Sequence, residues 1–294
     1  MNKTYIFHHD DLDGIASSLI LKNYYFNSKC ISCSYEKELI NPLNVVNKND
    51  TVVIVDYSFA PEIMRELYLL LDDNLIWLDH HISAINNSKK HGYNKIRGVR
   101  DTNYCGTELS WSWCIPNRKF PNLIKAIGDF DTFRNFGTKS FKDALCIFYG
   151  IKSYDDFALF KAIESYYHNW DNNDSSWYSM FYHAGEFVYL YKLNEYKENG
   201  ENNSYERTIW GLKVLCMNTY DGGLCLQLPK IYNPEKHDMI VTYNYNGNKW
   251  CYGFYTDKDY HPEVDCSKIA SQYGGGGHKA AAGATTNYLL KELI

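Results

Sequence analysis

The sequence lacks a surplus of positive charge. Its 294 residues include 30 Lys and Arg against 35 Asp and Glu, which gives a formal net charge of -5. A protein that holds a long polyanion through counterion release needs Lys and Arg in excess on one face. The composition therefore excludes a protein that binds a long nucleic-acid track, although a small anion held locally remains compatible with it.

Long apolar runs, internal repeats and repeated cysteine pairs are also missing. No run approaches the length of a membrane span, and the apolar stretch at 5–7 is too short for the core of a signal peptide. We therefore expect a soluble, unprocessed protein with no membrane partner. The 9 cysteines form no repeated metal-binding pattern, which predicts reduced thiols and a cytoplasmic location. The lone Cys30-x-x-Cys33 lies in an alternating, strand-like stretch, so two thiols beside a sheet are favoured over zinc or redox chemistry.

The first half of the chain alternates short apolar runs with helical periods, which is typical of βαβ units. Strands are predicted at 5–7, 51–55 and 75–78. Helices are predicted after Gly14, with Asp13 as the N-cap, and at 61–71, 107–113 and 123–127. The pattern indicates an α/β domain built on a parallel sheet.

The second half has a different pattern. The polar stretch at 194–205 predicts a linker, and strands at 208–217, 239–245 and 249–255 with a helix at 266–273 predict a smaller α+β domain over 206–294. The first domain then covers 1–193, with a helical connecting region at 141–193. That region could shape a substrate cleft or a homodimer interface, and the sequence leaves the oligomeric state open.

Potential metal ligands follow each predicted strand of the first domain. The segment 8–14 packs two histidines and three aspartates after the first strand, Asp56 follows the second, and residues 79–81 (Asp-His-His) follow the third. Because parallel strands bring their carboxyl ends to one edge of the sheet, we expect these side chains to converge. Asp129 and Asp131 end a later apolar stretch, and either can close the cluster.

A set of carboxylates and imidazoles without thiolates suits two divalent ions. Mn²⁺ is the most natural choice, with Mg²⁺ or Co²⁺ as substitutes. Two such ions about 3.5–4 Å apart can activate water and neutralise charge on a phosphoryl group during in-line displacement. The residues therefore predict a phosphoester hydrolase.

The order of these segments resembles a known family. Four segments are similar to the four motifs of the DHH phosphoesterase superfamily: His9-x-Asp11-x-Asp13-Gly14, Asp56, Asp79-His80-His81 and Asp131-Thr132. The run from Gly274 to Gly283 (GGGGHKAAAG) resembles the substrate-binding signature of the associated DHHA1 domain. The resemblance implies a DHH metal-binding catalytic domain followed by a DHHA1 substrate-binding domain.

The resemblance also implies roles for individual residues. One ion would be held by His9, Asp11 and Asp131, the other by Asp13 and His80, and Asp56 would bridge the two. His81 would contact the scissile phosphate, and Asp79 would orient a neighbouring imidazole. Asp131 is preferred to Asp129 because the family motif places its ligand Asp directly before Thr. His8 and Asp10 lie off the motif, so we expect them around the site or at the surface.

The glycine run has its own predicted role. It follows a predicted helix and precedes His278 and a series of small residues that suits the start of another helix. Backbone amides freed of side chains can approach a phosphate, and a helix N-terminus favours an anion. From the residues alone a structural turn is an equal alternative, and the resemblance favours substrate binding by Gly274, Gly275, Gly276, Gly277 and His278.

The leading hypothesis is a Mn²⁺-dependent phosphodiesterase, similar to nanoRNases, that cleaves short oligonucleotides or dinucleotides to mononucleotides. One alternative is a phosphatase or phosphodiesterase for another small compound, such as a cyclic nucleotide, phosphoadenosine phosphate or polyphosphate. Another is a catalytically inactive nucleotide-binding protein. A processive exonuclease similar to RecJ is disfavoured, because the chain has neither the length nor the charge for additional nucleic-acid-binding domains.

Overall fold

The chain forms two compact units, Met1–Glu186 and Phe187–Ile294. The computed structural model describes residues 2–35, 40–169, 175–219 and 231–293. The first unit is an α/β unit on a four-stranded parallel sheet, and the second is an α+β unit on a six-stranded mixed sheet. The predicted fold class is confirmed.

The sheet of the first unit has the strand order β2-β1-β3-β4. Its strands are β1 (Thr4–His9), β2 (Lys29–Cys33), β3 (Thr51–Val55) and β4 (Leu75–Leu78). The helices are α1 (Leu12–Tyr24), α2 (Pro61–Leu71), α3 (Ile82–His91), α4 (Gly106–Cys114), α5 (Asn122–Asp131), α6 (Lys139–Lys152), α7 (Asp156–His168) and α8 (Ser175–Asn203), the last of which continues into the second unit.

Both faces of this sheet are buried. Val53 and Val55 lie in one apolar core, with side chains of α1 and α4 to α8, whereas Val52 and Ile54 lie in another with α2 and α3. A strand covered on both faces needs apolar residues at every position, which explains the continuous β-branched run of β3.

A crevice is expected where β1 and β3 lie side by side. The chain leaves β1 through α1, which packs in the first core, and leaves β3 through α2, which packs in the second. Because the two connections depart towards opposite faces, the carboxyl ends of these strands form a topological switch point, where open α/β sheets bind ligands. The predicted ligands at 9–13 and 56 follow these two strands.

The start of α1 differs from the prediction. Asp11 is the N-cap, and its Oδ1 accepts the N–H of Gly14 at 2.9 Å. Asp13 therefore lies within the first helical turn, and its side chain is available for the long-range contacts described below. The predicted N-cap at Asp13 was wrong because either aspartate satisfies the local capping pattern.

The region at 141–193 is part of the first core and continues as a long helix. Ile147, Leu159 and Phe181, from α6, α7 and α8, are buried in that core, while residues 170–174 lie outside the described ranges. The linker predicted at 194–205 was wrong, since α8 extends to Asn203 and β5 begins at Ser204. This end of α8 is mostly polar, so it offers no apolar periodicity from which to predict a helix.

The second unit has the strand order β5-β6-β7-β8-β10-β9. Its elements are β5 (Ser204–Ile209), β6 (Leu212–Asn218), β7 (Met239–Tyr245), β8 (Trp250–Tyr255), α9 (Cys266–Ser271), β9 (Gly276–Gly277) and β10 (Ala281–Thr286). The single strand predicted at 208–217 is in fact a hairpin, turning at Trp210 and Gly211, both with positive φ (55° and 79°). Such a two-residue turn fits the right-handed twist of paired strands.

The described ranges contain no helix that is long and apolar enough to cross a membrane. The eight cysteines in these ranges are free thiols, as expected, and Cys225 lies outside them.

Candidate metal centre

The six predicted ligands converge at the carboxyl edge of the parallel sheet. His9 ends β1, Asp56 and His80 follow the carboxyl ends of β3 and β4, and Asp131 is the last residue of α5. Asp11 and Asp13 lie at the start of α1. Convergence at this edge is the geometry that the strand order requires.

Asp56 is the centre of the cluster. Its side chain is buried, with Oδ1 3.0 Å from His80 Nε2 and Oδ2 4.0 Å from His9 Nδ1. Its backbone has a left-handed conformation, with φ of 54°, and its N–H donates to the carbonyl of Leu78. This conformation costs about 1 kcal/mol for most residues and is tolerated by Asp. Such local strain is typical of functional sites.

Asp56 belongs to three groups of potential ligands, and within each group the ligand atoms lie within 4.8 Å of one another. Asp79 and His81 complete one of them, and the other two consist entirely of predicted ligands. Of these two, the first is formed by His9, Asp11 and Asp56 and the second by Asp13, Asp56 and His80. In the first group, His9 Nδ1 is 2.7 Å from Asp11 Oδ2. In the second, His80 Nε2 is 3.7 Å from Asp13 Oδ2. One shared carboxylate between two ligand sets is the arrangement expected for two adjacent ions.

Asp131 lies beside the second group. Its Oδ2 is 3.5 Å from His80 Nε2. This position follows from packing, since α5, which ends at Asp131, packs against α4, and the N-terminus of α4 contacts Asp13. The implied grouping of Asp131 with His9 and Asp11 stays a prediction. Asp129 is engaged elsewhere: its carboxylate accepts from Arg134, Asn135 and Ser140.

The two residues off the motif lie around the cluster. A ring nitrogen of His8 is 2.7 Å from the carbonyl oxygen of His9, and Oδ1 of Asp10 is 3.8 Å from His9 Nε2.

The electrostatics of the cluster favour a cation. Burial and the charge of Asp13 raise the pKa values of Asp56 and Asp131 well above the usual range of a carboxyl group. Burial and the neighbouring His81 lower the pKa of His80 to about 4. Oδ2 of Asp56 is buried and accepts no hydrogen bond from the described residues. Crowded carboxylates, a neutral imidazole and an unsatisfied buried oxygen fit a divalent ion such as Mn²⁺.

Asp79 holds His81 in place. It is fully buried, and its Oδ1 accepts the backbone N–H groups of His80 (2.7 Å) and His81 (3.1 Å) and lies 2.8 Å from His81 Nδ1. Burial raises the pKa of Asp79, but the nearby His81 imidazole outweighs it and lowers the value overall. A carboxylate bound to one ring nitrogen fixes the orientation and tautomer of the imidazole.

The N-terminus of α4 supports Asp13, which the sequence did not predict. The N–H groups of Gly106 and Thr107 donate to the two carboxylate oxygens of Asp13 at 2.6 and 2.8 Å. These amides have no partner within the helix, so an anion at this end satisfies them. A Cβ on residue 106 would lie 2.8 Å from Asp56 Cβ and 2.9 Å from Asp13 Oδ2. Only glycine lets the helix approach this closely.

A buried ion pair fixes α4 in turn. Glu108 is 1% exposed, and its carboxylate accepts the N–H of Cys105 and Nη2 of Arg134, the latter at 2.7 Å. Arg134 also donates to Asp129 and to the carbonyl of Asn103. The guanidinium therefore ties α4 to the segment that follows Asp131. The spacing of Cys105 and Glu108 is that of a capping box, which is the local signal that could have identified this helix start.

The glycine run lies in the second unit, between α9 and β10. Gly274 and Gly277 have left-handed φ values of 76° and 138°, and the N–H of His278 donates to the carbonyl of Ala281 at 2.7 Å. The small residues after His278 form β10, so the predicted helix start was wrong. Ala282 and Ala284 are paired with β8, and this sheet contact overrides the helical preference of alanine. Substrate binding by this segment stays a prediction.

Comparisons with known proteins identify the fold. No family model matches the chain. An uncharacterized protein of Acanthamoeba polyphaga mimivirus is 26% identical over 92% of the chain, which spans 64% of that relative's length. Among solved structures, the DHH domain of a member of a ribosomal protein family matches 96% of this chain and 82% of its own, with a TM-score of 0.52 and 16% identity. The chain has the fold of the DHH superfamily.

Two further structures share the DHH fold. A pGpG-specific phosphodiesterase from Vibrio cholerae has a TM-score of 0.51 and 10% identity, and covers 97% of this chain and 94% of its own. The exonuclease RecJ, in a structure bound to manganese, has a TM-score of 0.50 and 11% identity, and covers 97% of this chain and 86% of its own. The fold that the motifs implied is thus confirmed.

The contact between α4 and Asp13 gives a testable prediction for the first unit. We expect Gly106→Ala to push α4 away from Asp13 and Asp56, and so to weaken Mn²⁺ binding about 10- to 100-fold, the usual effect of losing a group that positions a ligand. Titration calorimetry with Mn²⁺ measures this effect. Gly92→Ala is the control: residue 92 is left-handed, with no atom within 4 Å of an added Cβ, so this change strains the backbone away from the site. Equal Mn²⁺ affinity of the two variants would contradict the role of Gly106.

Proposed function

We propose that the protein is a divalent-metal-dependent phosphodiesterase that hydrolyses short oligonucleotides or dinucleotides to mononucleotides. The observation that carries the proposal is the pair of ligand groups that share the buried Asp56. Two structures of the same fold support it, since one is a phosphodiesterase specific for pGpG and the other is an exonuclease bound to manganese.

Two Mn²⁺ ions, with Mg²⁺ or Co²⁺ as substitutes, are the proposed cofactors. The residues that would hold them are His9, Asp11, Asp13, Asp56, His80 and Asp131. When bound, such ions supply charge neutralisation at the phosphoryl group and activation of water.

The remaining residues of the site bind and orient the substrate. In this proposal His81, held by Asp79, donates a hydrogen bond to a phosphate oxygen and so stabilises negative charge that develops during displacement. Asp79 acts through His81 and is a positioning residue. For the second unit, we assign substrate binding to the segment formed by Gly274, Gly275, Gly276, Gly277 and His278.

The charge of the chain limits the proposed partner. With a net charge of -5 before any metal binds, the protein has no general surplus of cations for a long nucleic acid. Local attraction at the metal centre instead suits a short substrate with few phosphates.

A substrate panel under Mn²⁺ tests the proposal. The panel contains di- to pentanucleotides, cyclic dinucleotides, cyclic mononucleotides, phosphoadenosine phosphate, pyrophosphate and polyphosphate. We expect mononucleotides from the linear oligonucleotides, and no turnover after treatment with a chelator. Turnover of another compound with none of the linear oligonucleotides would refute the assigned substrate. Absence of turnover across the whole panel would favour an inactive binding protein.

A further inference from the structure

An aromatic side chain that the proposed chemistry does not use stands beside the metal centre. Tyr35 follows the carboxyl end of β2, at the edge of the sheet where the ligands converge. Its ring centroid lies 5.5 Å from that of His9. Tyr35 is nevertheless 57% exposed, so one part of its surface is open to a ligand.

The ring of Tyr35 is held from one side. It stacks on Tyr57, with centroids 4.6 Å apart and planes 28° from parallel, and its hydroxyl accepts the N–H of Ser58 at 3.3 Å.

A row of aromatic rings extends from Tyr35 into the core. Tyr57, which directly follows Asp56, is 1% exposed and meets Phe59 edge to face at 5.1 Å. Phe59 meets Phe7 of β1 in the same way at 5.4 Å. These contacts restrain Tyr35, so its exposed surface is preorganised and little freedom is lost when a flat ligand stacks on it.

We propose that Tyr35 is the stacking surface for a nucleobase of the substrate. The inference rests on the proposed function, because it assumes that a phosphoester binds at the shared Asp56 cluster. A phosphate there carries its nucleoside to within reach of a ring that lies beside the imidazole of His9. Stacking on an aromatic ring accepts any base, since every base has a π face. Tyr35 would then select nucleotides over pyrophosphate and polyphosphate, which have no base.

The test uses 2-aminopurine riboside 5′-monophosphate, whose fluorescence is quenched by stacking, with the full-length protein in Mn²⁺. We expect quenching by the wild type and by Tyr35→Phe, which keeps the ring. Tyr35→Leu, which keeps apolar volume without a π face, should bind the probe about tenfold more weakly or worse. Tyr24→Ala is the control, since Tyr24 is 48% exposed at the far end of α1.

Two further readouts separate stacking from a structural effect. Tyr35→Leu should raise KM for a dinucleotide about tenfold with kcat little changed. Inorganic phosphate, which has no base, should inhibit Tyr35→Leu and the wild type equally. Equal quenching by Tyr35→Leu and the wild type would overturn the inference and leave the proposed function standing. If quenching depended on Tyr35 but no phosphoester were hydrolysed, stacking would be supported and the proposed hydrolase activity would be overturned.

Discussion

Replacing Asp56 with asparagine is expected to reduce Mn²⁺-dependent hydrolysis at least about a thousandfold. Asp56 is the one carboxylate shared by the group of His9 and Asp11 and the group of Asp13 and His80, so its loss removes a ligand from both groups at once. Metal stabilisation of a phosphoryl transition state is worth several kcal/mol, and each 1.4 kcal/mol is a tenfold change in rate. Rates measured on a dinucleotide, with Mn²⁺ varied to saturation, test this expectation.

Although it loses activity, the same variant should gain stability over the wild type when metal is removed. Asp56 is fully buried beside other carboxylates, so without a cation it destabilises the native state, and an asparagine in its place removes one of these like charges. In a chelator at neutral pH we expect the variant to be more stable than the wild type by about 1 kcal/mol. Mn²⁺ at 100 times its Kd should then stabilise the wild type by about 2.7 kcal/mol and the variant far less.

Asp72 offers a matched control for both measurements. It is an exposed aspartate with a positive φ of 49°, so Asp72→Asn makes the same chemical change at another positive-φ position. We expect this control to keep the activity and the Mn²⁺-dependent shift of the wild type. If Mn²⁺ raised the free energy of unfolding of Asp56→Asn as much as that of the control, the shared-ligand arrangement would be wrong.

A second large effect is expected where α6 crosses α8. A Cβ at Gly150 of α6 would lie 1.8 Å from the carbonyl oxygen of Phe181, and one at Gly185 of α8 would lie 1.7 Å from that of Cys146. The two helices therefore meet backbone to backbone, and no side-chain rotation can relieve a clash there. We expect Gly150→Val to lower the free energy of unfolding by about 4 kcal/mol or more, beyond the usual range for overpacking.

Urea unfolding of Gly185→Ala and Gly200→Ala separates this clash from the general effect of alanine in a helix. Both glycines lie in α8, but the three atoms nearest to a Cβ at residue 200 belong to the side chain of Ile231 and not to a backbone. Alanine is favoured over glycine within a helix by about 1 kcal/mol. Gly200→Ala should therefore remain within about 1 kcal/mol of the wild type. Comparable stability of Gly185→Ala would show that the crossing can open at little cost.

The sequence predicts the first unit well because its signals are local. Buried parallel strands have continuous apolar runs, and the predicted strands at 51–55 and 75–78 and the helix at 61–71 have the bounds found in the structure. The six candidate ligands follow from the ends of such strands and from the family motifs. Their convergence follows from the parallel topology, so this part of the site was foreseeable.

The features that the sequence did not predict share a physical cause, since each depends on contacts between distant residues. The support of Asp13 by α4 joins residues 93 and 94 positions apart, and no local pattern encodes it. The strand at 281–286 forms because β8 pairs with it, although its alanines favour a helix.

The hydrogen bonds between Asp13 and the start of α4 also determine when the site can form during synthesis of the chain. During synthesis, Asp13 is made long before Gly106, so its carboxylate has no amide partners until the growing chain has passed four strands and three helices. Domains generally fold as units during synthesis. The candidate metal centre is therefore completed late in synthesis, when α4 docks, and Asp13 in a half-made first unit would lack its amide partners.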